Sequence, residues 1–430
     1  MTGILVLVLT FVILLAIGVP IAYSIGISGI CTMLVSIDTL PALATYAQRM
    51  ATGLDSFTLL AIPFFILAGQ LMNSGGIALR LIEFAKVFVG RLPGGLSFVN
   101  VIANMLFGAI SGSAAASASA IGTIMGPQMK KEKYDEKHSA AINLTSATTG
   151  LIIPPSNILI VYSLASGGVS IAALFIAGYI PGILMGIALM AAGAAYAVRK
   201  KYPRMEKVTV KDGFSKFFDA LPSLFLLVIV IGGIISGIFT ATEASAVAVL
   251  YCLILAFLYK EIRWKDLPGI IVRTCITTSI VLLLVATSIG LSWIMSYENI
   301  PQDISNGLIG ISDNPFVILL LINIILLFVG IFMDMTPAVL IFTPIFLPIV
   351  TSQLGIDPIH FGIILIMNLC VGLCTPPVGT VLFVGCTVSN LKIHDVIRPL
   401  IPLFIIMVIV LLIVTYVPQL SLWLPGLFGY

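Results

Sequence analysis

Apolar runs recur along the chain between short polar stretches, and most are long enough to form the ~20-residue helix that crosses a bilayer. The pattern predicts crossings near 4–17, 21–37, 57–73, 141–164, 171–198, 217–238, 243–259, 276–297, 361–388 and 399–424. Two apolar stretches are left over, 94–128 and 315–350. Each starts and ends beside sequence of one character, basic for the first and uncharged for the second, so each enters and leaves on one side. Halving either gives about 17 residues per limb, the lower limit for a span, and Gly, Ser or Pro interrupts the middle. Both therefore read as re-entrant hairpins, whose non-helical tips are tolerated only where protein buries them or where they line a wet cavity. The predicted fold class is an all-α polytopic membrane protein.

Composition supports that class, with 60% hydrophobic and 9% charged residues among 430. The opening "MTGILVLVLTFVILLAIGVP" has no basic n-region and no small-residue cleavage pattern, so it reads as a retained first span. A net charge of +3 gives no reason to expect a nucleic-acid partner. The six cysteines sit mostly in apolar segments, and Cys370 and Cys374 form only an i, i+4 pair, so neither a disulfide framework nor a transition-metal site is indicated.

An internal repeat organises the chain. "GLIIPPSNILIV" begins at Gly150 and "GLCTPPVGTVLF" at Gly372, setting Pro154 and Pro155 against Pro376 and Pro377 at an offset of 376 − 154 = 222. The same offset sets Gly108 of "GAISGSAAASASAIG" against Gly330 of "GIFMDMTPAVLIFTP". The loop before the first Pro-Pro segment carries Lys130, Lys131, Lys133 and Lys137, and its counterpart "TSQLGIDPI" has no Lys or Arg. After the Pro-Pro segments the bias swaps, with "ASGGVS" uncharged and Lys392 and Arg398 following the second. By the positive-inside rule the two copies cross in opposite directions, the trace of an inverted-topology repeat. This divides the chain into a first repeat, 1–198, a basic cytoplasmic linker, 199–216, and a second repeat, 217–430.

The Pro-Pro pairs lie where a helix should be least interrupted. Proline lacks an N–H and displaces the carbonyl four residues back, so Pro376 and Pro377 are expected to free carbonyl oxygens around Gly372 and Leu373. Such oxygens suit a hard cation such as Na⁺, while the N-terminus of the resumed half-helix favours a carboxylate. A packing kink is the other reading of one such pair, but two copies, each beside a hairpin with a polar tip, favour binding. The tips offer Ser111, Ser113 and Ser117 in the first hairpin, and Asp334 and Thr336 in the second. Asp334 has two readings, a functional carboxylate facing a cavity or a cap for the second limb. The run "SGSAAASASA" also permits close helix approach with no ligand. Asn143, Asn157, Asn368, Thr375 and Thr380 are further midspan oxygens.

Other features point elsewhere. Thr240 and Glu243 match a capping box. Arg80, Lys86 and Arg91 stripe an amphipathic segment suited to the cytoplasmic interface, or to an arm joining a moving part to a fixed one. His138, His360 and His394 fall in or beside loops, and Asp334 has no acidic partner, which argues against an intramembrane protease. No charged rings suggest a channel, and no phosphate-binding loop of the GxxxxGK[ST] type suggests a nucleotide-driven pump.

The segments "SFTLLAIPFFILAGQLMNSGG", "LIIPPSNILIVYSLASGGVSIAALFIAGYIPG", "GIFTATEASAVAV" and "GIDPIHFGIILIMNLCVGLCTPPVG", in this order, resemble the large membrane subunit of TRAP transporters, the tripartite ATP-independent periplasmic carriers. The resemblance covers essentially the whole chain. It implies a Na⁺-coupled secondary importer of an organic acid in a bacterial inner membrane, not an enzyme, with a transport domain that moves in an elevator-like way. It also implies two partners, a separate small four-helix membrane subunit and a periplasmic substrate-binding protein. Two or more Na⁺ ions are expected. Carried over by motif, one Na⁺ site joins Ser111, Gly112 and Ser113 to Gly150, Pro154 and Ser156, and the other joins Gly330, Met333 and Asp334 to Gly372, Thr375 and Pro377. The substrate carboxylate is expected between the tips, near Asn157, Thr336 and Thr380. The substrate class is sialic acid or a C4-dicarboxylate, with a slight lean to the former. The alternative is a stand-alone Na⁺/carboxylate carrier that needs no binding protein.

Overall fold

The computed structural model describes residues 2–74, 76–202, 210–312, 314–376 and 379–430, and these form helices with no strand among them. The first half holds α1 (Thr2–Ala16), α2 (Ile21–Ser36), α3 (Thr39–Leu54), α4 (Ala61–Ser74), α5 (Ile77–Val89), the hairpin α6 (Gly95–Ser111) and α7 (Ala114–Lys131), the broken helix α8 (Glu136–Thr149) and α9 (Asn157–Ala165), and α10 (Ile171–Lys200). The second holds α11 (Val210–Ile235), α12 (Ala241–Leu258), α13 (Leu267–Tyr297), α14 (Ile300–Ile311), the hairpin α15 (Pro315–Phe332) and α16 (Met335–Ser352), the broken helix α17 (Pro358–Gly372) and α18 (Thr380–Val388), α19 (Ile393–Tyr416) and a terminal α20 (Gln419–Leu427). Moved back by 222, the first residues of α14 to α19 fall at 78, 93, 113, 136, 158 and 171, against 77, 95, 114, 136, 157 and 171 for α5 to α10.

Packing crosses between the repeats in matched pairs. The returning arm α7 packs on α18, and its counterpart α16 packs on α9. In the same way α10 packs on α17, and α19 on α8. The hairpins and broken helices thus form one interlocked body, beside a scaffold in which α12 packs on α4, and α13 on α2, α3 and α4. Tyr162 of α9 illustrates the interlock: its hydroxyl donates to the Pro358 carbonyl at 2.6 Å, and its ring covers Gly362, where an added Cβ would lie 2.4 Å from a ring carbon. Tyr162→Phe removes this bond between the repeats while the helix keeps its own claim on the carbonyl, and is expected to cost about 1 kcal/mol, read as a lower thermal midpoint of the detergent-purified protein.

α5 and its repeat counterpart α14 are held differently. Lys216 of α11 reaches Glu83 of α5 at 2.6 Å, and Lys86 pairs with the same carboxylate. Arg80 lies 3.6 Å from Glu261 and stacks over Tyr259. Burial pushes the Glu83 carboxyl up, but the hydrogen bonds from Lys216 and Lys86 outweigh it and hold the group below its ordinary value. A depressed carboxylate contributes stability above its unfolded value of 4.5 and loses it as pH falls through the folded one. Glu83→Gln is therefore expected to lower the thermal midpoint at neutral pH, with the gap to the parent closing on acidification below that value. α14 meets the end of α16 through a neutral bond, Gln353 to Ser305 at 2.6 Å.

Several elements differ from those predicted from apolar runs. α3, α14 and α20 are helices outside the predicted crossings or, for α20, broken off from one. α3 and α14 are amphipathic, with polar faces such as Gln48 and Arg49 that keep the run from reading as apolar. α19 begins at Ile393, before Pro399, and stops at Tyr416, so the crossing predicted at 399–424 is a helix of 24 residues that starts earlier and is ended by Pro418. His360 is a packed residue rather than a loop one: 1% exposed, it bonds Ser421 at 2.6 Å and the Thr415 carbonyl at 3.3 Å, fastening α20 to α17. His138 is likewise buried and stacks on Tyr196. The capping box at Thr240 and Glu243 is present, starting α12. Residues 203–209 of the basic linker lie outside the described residues.

Candidate functional site

Each hairpin turns where helix geometry forces it to. Gly112 ends α6 at φ +63°, a left-handed conformation that glycine adopts without a side-chain clash, and Ser113 restarts the chain by accepting the Ala116 N–H at 3.3 Å. In the second hairpin Met333 and Asp334 make the turn with extended backbone, and Asp334 occupies the cap position of α16 without a side-chain capping bond. Its backbone is that of a cap; its carboxylate is accessible and faces the cavity.

That cavity, of about 390 Å³, lies between the two tips. Ser111, Gly112 and Ser113 wall one side, Asp334 and Thr336 another, and Asn157 and Thr380 complete it at the starts of α9 and α18. Four helices therefore present their N-terminal ends to one space: α7 at Ala114, α16 at Met335, α9 at Asn157 and α18 at Thr380. Each end carries unsatisfied amides and a partial positive charge, so the cavity favours an anion. Several polar atoms are held without partners: the Ser111 and Ser156 hydroxyls and the Asn157 carbonyl oxygen make no hydrogen bond within the protein.

The opposite helix ends meet just behind the tips, once in each repeat. Gly108 of α6 faces Gly150 at the end of α8 so closely that an added Cβ would lie 2.9 Å from the Gly150 Cα, and Gly330 stands in the same relation to Gly372, also at 2.9 Å. C-terminal carbonyls, the negative helix ends, are thus brought together in two matched places. Tip and break are also joined directly, since the Gly379 amide donates to the Ile331 carbonyl at 3.1 Å.

The remaining residues of the expected cation sets are distributed unevenly. Gly150 lies one turn behind the first tip, against Gly108, and Pro154 packs toward α10 beside Gly178. Ser156 is fully buried at the start of α9. Met333 is buried, and the Thr375 hydroxyl donates to the Val371 carbonyl at 3.0 Å. The expectation that the Gly372 carbonyl is freed does not hold in simple form: it accepts the Thr375 amide at 2.8 Å, closing a tight turn. Pro377 lies outside the described residues.

Three polar residues that run-based reasoning passes over also line the cavity: Gln70 and Asn73 of α4 and Thr277 of α13. Gln70 and Asn73 lie in the last turns of α4, and Thr277 about a third of the way along α13. Their signal was available, as two amides inside the apolar "FFILAGQLMNS". Behind the first tip, a buried network ties the hairpin to α8. Ser117 donates to Asn104 at 2.7 Å, and Asn104 donates to Asn143 and Ser146 at 3.1 and 2.9 Å. The second repeat has a smaller version, Asn368 to Asn323 at 2.5 Å.

Comparison with known proteins agrees with this architecture. Residues 8–420 match the family model described as "Tripartite ATP-independent periplasmic transporter, DctM component". The chain is 56% identical to the uncharacterized protein YgiK of Salmonella typhimurium, covering 99% of this chain and 98% of that one. It is 40% identical to the sialic acid TRAP transporter large permease SiaM of Vibrio cholerae (97% of each) and 41% identical to the C4-dicarboxylate TRAP transporter large permease DctM of Pseudomonas aeruginosa (94% of each). The crystal structure of the Alcanivorax borkumensis YdaH transporter shares the fold, with a TM-score of 0.66 at 12% identity over 92% of this chain and 90% of that one. The chain belongs to the DctM-component family of tripartite ATP-independent periplasmic transporters, as a multi-pass protein of a bacterial inner membrane.

Proposed function

We propose that this chain is the transport subunit of a Na⁺-coupled importer that takes up an organic acid, of the sialic acid or C4-dicarboxylate class, by an elevator-like movement. The observation that carries the reading is the convergence of four helix N-termini on the cavity between the tips, backed by paired helix C-termini in each repeat. The N-termini suit the carboxylate of the substrate, with Asn157, Thr336 and Thr380 offering hydrogen bonds. The C-termini suit cations. One ion would draw on Ser111, Gly112, Ser113, Gly150 and Ser156, and a second on Met333, Asp334, Gly372 and Thr375. Asp334 would otherwise place a negative charge beside an anionic substrate, so a bound cation makes the two compatible.

The interlocked body of hairpins and broken helices, joined to the scaffold through the arms α5 and α14, is the unit that would move. Substrate would arrive from a periplasmic binding protein, and a separate small membrane subunit would complete the system, in keeping with the tripartite family. The test is uptake into proteoliposomes of this chain with its small partner, with labelled sialic acid and succinate, with and without the binding protein and an inward Na⁺ gradient. Uptake that needs all components and Na⁺ supports the reading and names the substrate class. Uptake by this chain alone would point to a stand-alone carrier, and uptake indifferent to Na⁺ would remove the cation sites.

A further inference from the structure

A second chamber, of about 490 Å³, opens on the cytoplasmic side of the first hairpin, where α6, α7 and α8 meet the end of α18. Its lining shares no residue with that of the central cavity. Asn100 and Asn143, 1% and 3% exposed, form its inner wall, Asn390 its outer wall, and Lys130 stands at its mouth. Ser139 lines it at 7% exposure, and its hydroxyl has no hydrogen-bond partner within the protein. A buried helical serine ordinarily bonds a carbonyl one turn back; this one is left with a free donor and acceptor at the chamber wall.

The inverted repeat supplies an internal control. Adding 222 to Asn100, Gly122, Gly126, Ser139 and Asn143 gives Ile322, Pro344, Pro348, Phe361 and Leu365. Ile322, Phe361 and Leu365 are fully buried, so at the counterparts of Asn100, Ser139 and Asn143 the second repeat uses apolar side chains, while Pro348, the counterpart of Gly126, borders only a smaller pocket of about 170 Å³. Gly126 faces open space, since an added Cβ there would meet nothing within 4 Å. A hairpin that only had to pack could have used the apolar solution present in its own second copy.

The geometry points to a cytoplasm-facing binding site for a small polyhydroxylated organic acid in this chamber. The Asn100 and Asn143 side-chain oxygens are taken up by Asn104, Ser146 and Asn100 within the protein, so each of these amides keeps one N–H to offer, while the Ser139 hydroxyl can both donate and accept; such a donor-rich wall matches a ligand whose hydroxyl oxygens accept. Lys130 matches the carboxylate through its remaining donors, since it already bonds at 2.9 Å to Glu136, which also lines the chamber and offsets part of its charge. The ligand class is read from the lining, so this site stands or falls independently of the transport reading.

The experiment uses the full-length, detergent-purified chain carrying Thr123→Cys, an exposed position on the chamber wall, with Cys31→Ser and Cys275→Ser to remove the native thiols that are not buried. The rate of maleimide labelling at position 123 is measured without ligand and with gluconate, succinate or glucose. Gluconate at twice its dissociation constant is expected to slow labelling about threefold; succinate lacks the hydroxyls and glucose the carboxylate, and both are expected to protect less. Protection is expected to survive Thr336→Trp, which obstructs the central cavity, and to disappear with Gly126→Leu, which fills the chamber. No protection by gluconate, or protection that Thr336→Trp removes and Gly126→Leu spares, overturns the assignment. Should the cysteine variant fail to fold, the gluconate-induced thermal shift of the unmodified chain is compared with that of Gly126→Leu. A shift lost in Gly126→Leu supports the site, and an equal shift in both overturns it.

Discussion

Asp334→Asn is expected to raise the Na⁺ concentration for half-maximal uptake by about tenfold or more, while the protein keeps its yield and thermal midpoint. The substitution separates the two roles that sequence leaves open for this residue. Asparagine is as good a helix cap as aspartate, so the start of α16 at Met335 is preserved. What is removed is the charge. An interaction with a charged group contributes roughly 1.5–3 kcal/mol, and each ~1.4 kcal/mol is a factor of ten in affinity. The absence of a side-chain capping bond and the position of the carboxylate on the cavity wall both favour the charge as the functional property. The measurement is initial uptake of labelled substrate against Na⁺ concentration in proteoliposomes of the complete complex. An unchanged Na⁺ dependence in Asp334→Asn would return the residue to a capping role and leave the second cation site to backbone oxygens.

The fold was legible because its constraints are coarse and repeated. Apolar run length placed most of the long helices, and the 222-residue offset matches helices that recur within two residues of that spacing from α5 to α10. Amphipathic helices were harder. α14 carries Gln302 and Asp303 among its apolar positions and has no basic stripe of the kind that marked α5, so nothing in its composition announced an arm. At the site, glycine, proline and small polar residues marked the tips and breaks, because those residue types are costly inside a membrane helix unless the backbone has a use for the interruption. The scaffold wall was not read. Gln70 and Asn73 join the cavity only through the packing of α4 beside the first tip, a tertiary relation that no local pattern encodes. The state of individual carbonyls also lay beyond sequence: a Pro-Pro pair releases oxygens, but the Gly372 oxygen is taken up again by the Thr375 amide.

The matched glycine pairs behind the tips lead to the second large effect. Gly108→Ala and Gly330→Ala are each expected to destabilise the protein by about 1–3 kcal/mol, the usual cost of forcing a methyl group into packed surroundings. In both cases the obstruction is backbone, the Cα of Gly150 or of Gly372, which has no rotamer to turn away. Gly126→Ala is the internal comparison. It too lies within a helix, its new Cβ meets open space, and the change is expected to stabilise by about 0.5–1 kcal/mol through lower chain entropy. Thermal unfolding of the three variants in one detergent separates loss of close approach from the general preference of helices for alanine. Because each pair brings two helix C-termini together beside a tip, forcing it apart is also expected to weaken Na⁺ dependence in whatever fraction remains folded. Equal stability of Gly330→Ala and Gly126→Ala would mean that α15 and α17 can separate without cost, and the paired C-termini would then have no fixed geometry with which to hold a cation.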